Sequence, residues 1–176
     1  MKIVNFRARA VLGSVLFLIV APGTVAGLIP WWISKWKVQP TSPDFLTVQI
    51  IGVLVLVGSL LVLFESFARF ALQGIGTPAP VLPTRHLVVT GRYRYVRNPM
   101  YVAVVAAILG QSMILGDLDL ALYAGIVWLV SHLFVVVYEE PTLRRTFGDE
   151  YVEFCANVPR WIPRLRPWQG PATDGQ

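Results

Sequence analysis

The chain has 176 residues, of which 55% are apolar and only 14% charged, with a mean hydropathy of +0.61. That balance excludes an ordinary water-soluble domain. At about 20 apolar residues per spanning helix, the length admits one membrane domain of four spans and no separate soluble catalytic domain. The formal net charge of +5 does not point to nucleic acid, because Lys and Arg cluster beside apolar runs, where they orient helices in a membrane.

The first apolar run covers residues 10–32 and is interrupted by Pro22 and glycines, which membrane helices tolerate. Two readings are open. Lys2, Arg7 and Arg9, then Val11 to Val20 and Thr24-Val25-Ala26, have the layout of a cleaved signal peptide, whereas continuation to Trp31 and Trp32, placed as an aromatic anchor, favours a retained span. The second run, residues 45–64, lacks charge and proline. It is predicted to continue past Glu65 and Arg69, an i,i+4 pair, until Gly74, Gly76, Pro78 and Pro80 end it. The third and fourth runs, 101–115 and 120–138, are separated only by Gly116-Asp117-Leu118-Asp119, so they form an antiparallel helical hairpin. The expected fold is an all-α membrane protein, a single domain over 1–176, with a C-terminal helical hairpin and a cytoplasmic amphipathic helix.

Orientation follows from the loops. Lys2, Arg7, Arg9, Arg69, Arg85, Arg92, Arg94, Arg97, Arg144, Arg145, Arg160, Arg164 and Arg166 fall on one side, and only Lys35 and Lys37 on the other. Both termini and the central loop are therefore expected in the cytoplasm.

Two segments hold polar residues that a membrane anchor does not need. One runs from Arg85 to Tyr101 into the third run; the other begins at Tyr138-Glu139-Glu140-Pro141, at the exit of the fourth. The hairpin must bring them to one membrane surface. A polybasic stretch that fixes topology and attracts anionic lipid explains the first segment in part. It does not explain why Arg92, Arg94 and Arg97 alternate with Tyr93, Tyr95 and Tyr101, or why Asn98-Pro99 stands where Asn98 can cap and Pro99 can open a helix. The N–H groups at that helix start favour an anion.

Pro141 and the two glutamates equally suit a solvated helix start or a site for a ligand with hydroxyls or positive charge. Glu140 is assigned to the helix start, and its loss is expected to matter less than that of Glu139. Leu143, Phe147, Tyr151 and Phe154 recur at helical spacing, with a break at Gly148 and Asp149 as a new cap. His132 inside the fourth run reads as a neutral imidazole bonded across helices to Gln111 or Ser112, with a functional role as the alternative. The one cysteine, Cys155, reads as a packing residue, and the sequence holds no metal-binding constellation.

On these residues the chain resembles the integral-membrane methyltransferase superfamily that includes isoprenylcysteine carboxyl methyltransferases and phospholipid N-methyltransferases. The likeness covers residues 80–164 and rests on Leu87-Val88, Thr90-Gly91-Arg92-Tyr93, Arg97-Asn98-Pro99-Met100-Tyr101, Glu139-Glu140, Phe147-Gly148, Tyr151 and Val158-Pro159. It implies S-adenosylmethionine as cofactor, contacted by Arg85, His86, Leu87, Val88, Tyr93, Asn98, Pro99, Met100, Tyr101 and Glu139. Arg97, Tyr101 and Glu139 are candidates for the transfer step. The acceptor implied is a lipid or other lipophilic molecule from the bilayer. A reductase-like protein binding a nicotinamide cofactor, whose 2′-phosphate would use Arg92, Arg94 and Arg97, and a non-catalytic lipid-binding protein are the alternatives.

Two departures from the family pattern stand out. Asn98 replaces a histidine, so that side chain can hydrogen-bond but not accept a proton. Val135 stands where prenylcysteine methyltransferases carry a substrate-associated arginine four residues before the first glutamate. An apolar acceptor-facing position disfavours an anionic prenylcysteine carboxylate, and an arginine placed there is expected to snorkel to water.

Overall fold

The computed structural model describes residues 20–39, 45–73, 87 and 89–170. The described residues are helical apart from turns and an extended C-terminal segment. In order they form a π-helical turn at Thr24–Leu28, α1 (Ile29–Ser34), α2 (Leu46–Gln73), a 3-10 turn at Gly91–Arg94, α3 (Pro99–Leu115) and α4 (Leu118–Phe134). A second π turn at Val135–Glu139, α5 (Glu140–Phe147) and α6 (Asp149–Asn157) follow.

Two helical stretches are long and apolar enough to cross a membrane: Leu46–Ala68, 23 residues at hydropathy 2.6, and Leu118–Phe147, 30 residues at hydropathy 2.2. α3 is a shorter apolar helix, and the predicted first span lies within the described residues only from residue 20 onward. Both long stretches are mostly exposed, with apolar side chains such as Leu54, Leu61, Phe64, Leu129, Val130 and Val137 pointing outward, as lipid rather than water requires. Two serines among them are satisfied locally: Ser59 and Ser66 donate to the carbonyls of Leu56 and Val62 in their own helix.

α2 and α3 cross where two glycines meet. A Cβ on Gly110 would lie 2.9 Å from the Gly52 carbonyl oxygen and the Leu56 nitrogen, and one on Gly52 would lie 2.8 Å from the Met113 Cβ. Backbone is packed on backbone here, the arrangement that small residues permit in membranes. Gly110→Val is therefore expected to destabilise the bundle by about 1–3 kcal/mol or more through overpacking, read as a lowered unfolding midpoint of the detergent-solubilised protein. A midpoint like that of the unaltered chain would mean the helices do not touch at these glycines. Nearer the other end of this pair, Leu63, Phe67 and Ala103 form a buried cluster with Val62, Met100 and Val104 against it.

The α3–α4 hairpin forms as its sequence dictates. Gly116 takes the left-handed conformation at φ 68°, and the Asp117 carboxylate accepts from the N–H groups of Asp119 and Leu120. Gln39 N–H donates to the Leu115 carbonyl and Gln49 Nε2 to that of Ile114, so the ends of α1 and α2 close on the same turn.

Both π turns finish two residues ahead of a proline. Pro30 has no N–H for the Ala26 carbonyl, which would be its α-helical partner. Ala26 oxygen instead accepts from Gln111 Nε2 on α3 at 2.8 Å, and Val25 oxygen from the Tyr123 hydroxyl on α4 at 3.0 Å. The second π turn precedes Pro141, and it corrects an expectation from the sequence: Pro141 does not open a new helix. The wider turn absorbs the proline, so α4, the π turn and α5 make one continuous rod. Asp149 likewise does not cap. Gly148, at φ 53°, occupies the cap position and Asp149 is the first residue of α6.

Candidate functional site

The open end of the hairpin gathers the 3-10 turn, the start of α3, the second π turn and residues after α6. The Tyr101 hydroxyl donates to Glu139 Oε2 at 3.1 Å. Tyr93 lies beside this pair: burial first, then the negative charge of Glu139 and the neighbouring Tyr101, hold its phenol well above the ordinary tyrosine range. Tyr93 therefore stays protonated and can donate a hydrogen bond, but it is no base. Tyr93, Tyr101 and Glu139 were expected to converge, and they do.

Glu140 has a different set of partners. Its Oε1 accepts from Arg97 Nη1 at 3.0 Å and Arg160 Nε at 2.6 Å, and its Oε2 from Arg160 Nη2 at 2.9 Å. Arg97 and Glu140 side chains are each only 12% exposed. The hydrogen bond to Glu140 raises the affinity of the Arg160 guanidinium for its proton. Arg97 Nη1 also donates to Cys155 Sγ at 2.8 Å, whereas Arg97 Nε is buried with no hydrogen-bond partner among the described residues. Glu140 is thus the hub of an ion network rather than a solvated helix start, and Cys155 sits against a guanidinium as well as packing. Adjacent helical residues point about 100° apart, the one signal in the sequence that the two glutamates must serve different partners.

Asn98 occupies the N-cap position of α3 without capping it. The side chain is buried, and Nδ2 donates to the Arg160 carbonyl at 3.1 Å. Pro99 opens α3 as predicted and is fully buried, and Met100 packs on the α2 cluster. Leu87 packs with Val89, Leu143, Phe147 and Trp168 around Tyr151, Phe154 and Val158, which draws the periodic apolar residues of α5 and α6 into one cluster. Arg85, His86 and Val88 lie outside the described residues.

His132 does not bond to Gln111 or Ser112. Its Nδ1 accepts from Trp161 Nε1 at 3.0 Å, and the ring stacks on Trp128 with centroids 5.4 Å apart. Gln111 is committed to Ala26, Ala107 and Trp36, and Ser112 to Asp117. The three arginines that a nicotinamide 2′-phosphate would use are also engaged: Arg92 with Glu65 at 2.7 Å, Arg94 with Trp168 and Gln169, and Arg97 with Glu140.

The chain belongs to a known class. A family model described as phospholipid methyltransferase matches residues 47–150, more than half of the chain, and the chain is a member of that membrane methyltransferase family. It is 38% identical over 82 residues to the protein-S-isoprenylcysteine O-methyltransferase of Schizosaccharomyces pombe, an alignment covering 46% of this chain and 34% of that protein. The matched part thus amounts to about a third of the yeast protein's length. It is also 26% identical over 169 residues to the cobalt-zinc-cadmium resistance protein CzcN of Cupriavidus metallidurans, covering 96% of this chain and 71% of that protein. Among the described residues no group of His, Cys, Asp and Glu is arranged to hold a metal ion.

Proposed function

We propose that the chain is a multi-pass membrane methyltransferase with four spans and both termini in the cytoplasm, which moves a methyl group from S-adenosylmethionine to a lipophilic acceptor arriving from the bilayer. The observation that carries this reading is the contrast between the two glutamates. Among the described residues Glu140 accepts from three N–H donors, whereas Glu139 accepts from the Tyr101 hydroxyl alone, although a carboxylate accepts about four hydrogen bonds. Acceptor capacity therefore remains on Glu139, flanked by two phenols at the lip of an apolar helix.

The residues present fit the cofactor's chemistry. Glu139 suits an ammonium group or ribose hydroxyls, Tyr93 and Tyr101 supply aromatic walls, and the orphaned N–H of Arg97 has the sign that a carboxylate needs. When bound, S-adenosylmethionine supplies an electrophilic methyl on a sulfonium. The chain's part is to hold that group, exclude water and align the acceptor, which is catalysis by positioning. Tyr138 and Val137, 48% and 72% exposed beside Glu139, support an entrance at the lipid boundary. Arg97 keeps its neighbour Asn98 and the start of α3 in register through Glu140 and the Pro159 carbonyl.

Titrating purified protein with S-adenosylmethionine in a calorimeter tests the assignment. Glu139→Ala is expected to weaken binding about tenfold or more, the equivalent of one charged hydrogen bond, without changing the unfolding midpoint by much. Equal affinity in the variant and the unaltered chain would remove Glu139 from the site.

A further inference from the structure

After α6 the chain turns back along the segment that carries the tyrosines. Arg97 N–H donates to the Pro159 carbonyl at 2.9 Å, Arg164 N–H to Tyr95 at 3.0 Å and Trp168 N–H to Arg94 at 2.9 Å. Asn98 Nδ2 holds the Arg160 carbonyl, Arg164 Nη1 holds that of Asn157, and Arg94 binds both Trp168 and Gln169. Residues 158–170 are therefore a clamped strap. Pro159, Pro163 and Pro167 have no N–H to satisfy, and the donors at Arg164 and Trp168 are already bonded, so this irregular backbone carries fewer open donors than an ordinary loop.

The depth of the strap is set by Trp161. Its indole bonds to His132 and lies 6.3 Å from the Trp128 ring. His132 precedes Glu139 by seven positions on the continuous rod, roughly 10 Å along the helix toward the middle of the apolar stretch. The α4 side chains at that level, Leu129 and Leu133, are 50% and 53% exposed and face lipid. Next to Trp161 the strap presents Ile162 and Leu165, 78% and 100% exposed, although the backbone that carries them is pinned. Arg164 and Arg166 alternate with them. The whole strap lies beyond the residues that match the family model.

We infer that residues 161–166 form an interfacial insertion element, with Ile162 and Leu165 entering the acyl boundary of the adjacent leaflet and Arg164 and Arg166 meeting its anionic phosphates. The partner is the bilayer and not another protein, because Trp161 is held at a depth where the neighbouring helix already faces lipid. Aromatic residues favour that level, basic ones are drawn to anionic headgroups, and amphipathic segments at this boundary sit about 5–10 Å into it. The inference needs the chain to be a membrane protein and does not depend on its reaction.

The test uses the full chain with Cys155→Ser, whose hydroxyl keeps an acceptor for Arg97. Single cysteines are introduced by Ile162→Cys, Leu165→Cys, Arg166→Cys or Glu153→Cys, labelled with an environment-sensitive fluorophore, and the protein is reconstituted in phosphatidylcholine–phosphatidylglycerol vesicles. Labels at 162 and 165 should be quenched several-fold more strongly by lipids brominated on the acyl chain than the label at 153, and shielded from iodide. Iodide should still reach the label at 166. Equal iodide quenching at all four positions would overturn the proposal, and so would shielding at 162 and 165 from both quenchers, which would mean a protein covers the strap. Should the labelled variants fail to fold, the difference in tryptophan emission between the natural chain and Trp161→Phe gives the same answer: brominated lipid must quench it, and an unquenched difference signal refutes insertion.

Discussion

Glu140→Ala is expected to destabilise the folded protein by about 3–5 kcal/mol, the usual consequence of stranding one side of a buried ion network. Removal of this carboxylate leaves the Arg97 guanidinium, whose Nε is already without a partner, with only the Cys155 sulfur and no counter-charge. It also frees Arg160 and with it the bond that fixes Asn98. The unfolding midpoint of detergent-solubilised protein should fall clearly for Glu140→Ala and much less for Glu139→Ala, whose carboxylate is bonded once among the described residues. Equal losses for the two variants would show that Glu140 is not the hub. The solvated helix start read for Glu140 from the sequence would have given only a small loss.

Val135→Arg is the second large effect, and here too the structure reverses an expectation. Val135 is 1% exposed, so a guanidinium placed there has no route to water and must be buried between helices without a partner, a penalty of several kcal/mol. Val137, 72% exposed on the lipid face, is the control, since an arginine there can snorkel to the lip. Size-exclusion chromatography should show folded, monodisperse protein for Val137→Arg and little for Val135→Arg; equal yields would mean that Val135 is not enclosed. The reason lies in the π turn. Counting back four residues from Glu139 gives the same face only on an α-helix, and Val135–Glu139 bonds at a spacing of five. The apolar residue at this position therefore says less about the acceptor than its sequence spacing implied.

What could be read from the sequence was encoded locally or in periodicity. The Gly116-Asp117 turn, Pro99 at the start of α3 and the spacing of Leu143, Phe147, Tyr151 and Phe154 each determine structure within a few residues. The hairpin then forces Tyr93, Tyr101 and Glu139 together. The contacts that were missed join residues far apart without a pattern: Arg92 to Glu65, 27 residues away, His132 to Trp161, 29 away, and Asn98 to Arg160, 62 away. A polar side chain offers several hydrogen bonds, and which partner it finds depends on tertiary packing. Asn98 could have capped its own helix, but the Arg160 carbonyl arrives within reach and takes the amide. The π turns leave a fainter trace, a proline inside an apolar run, which by itself also fits a helix start.

The strap gives the site an order of assembly in time. Chains are made from the N-terminus, and Arg97 is synthesised 43 residues before Glu140, while Arg94 precedes Gln169 by 75. During synthesis these arginines are uncommitted cations beside an apolar helix, the condition under which basic residues set orientation. Only after residues 140–169 leave the ribosome do the carboxylate and carbonyl partners arrive and turn the same cations into fixed struts. A nascent chain can thus have completed α2, α3 and α4 and still lack a finished site, because the segment that completes it is made after them.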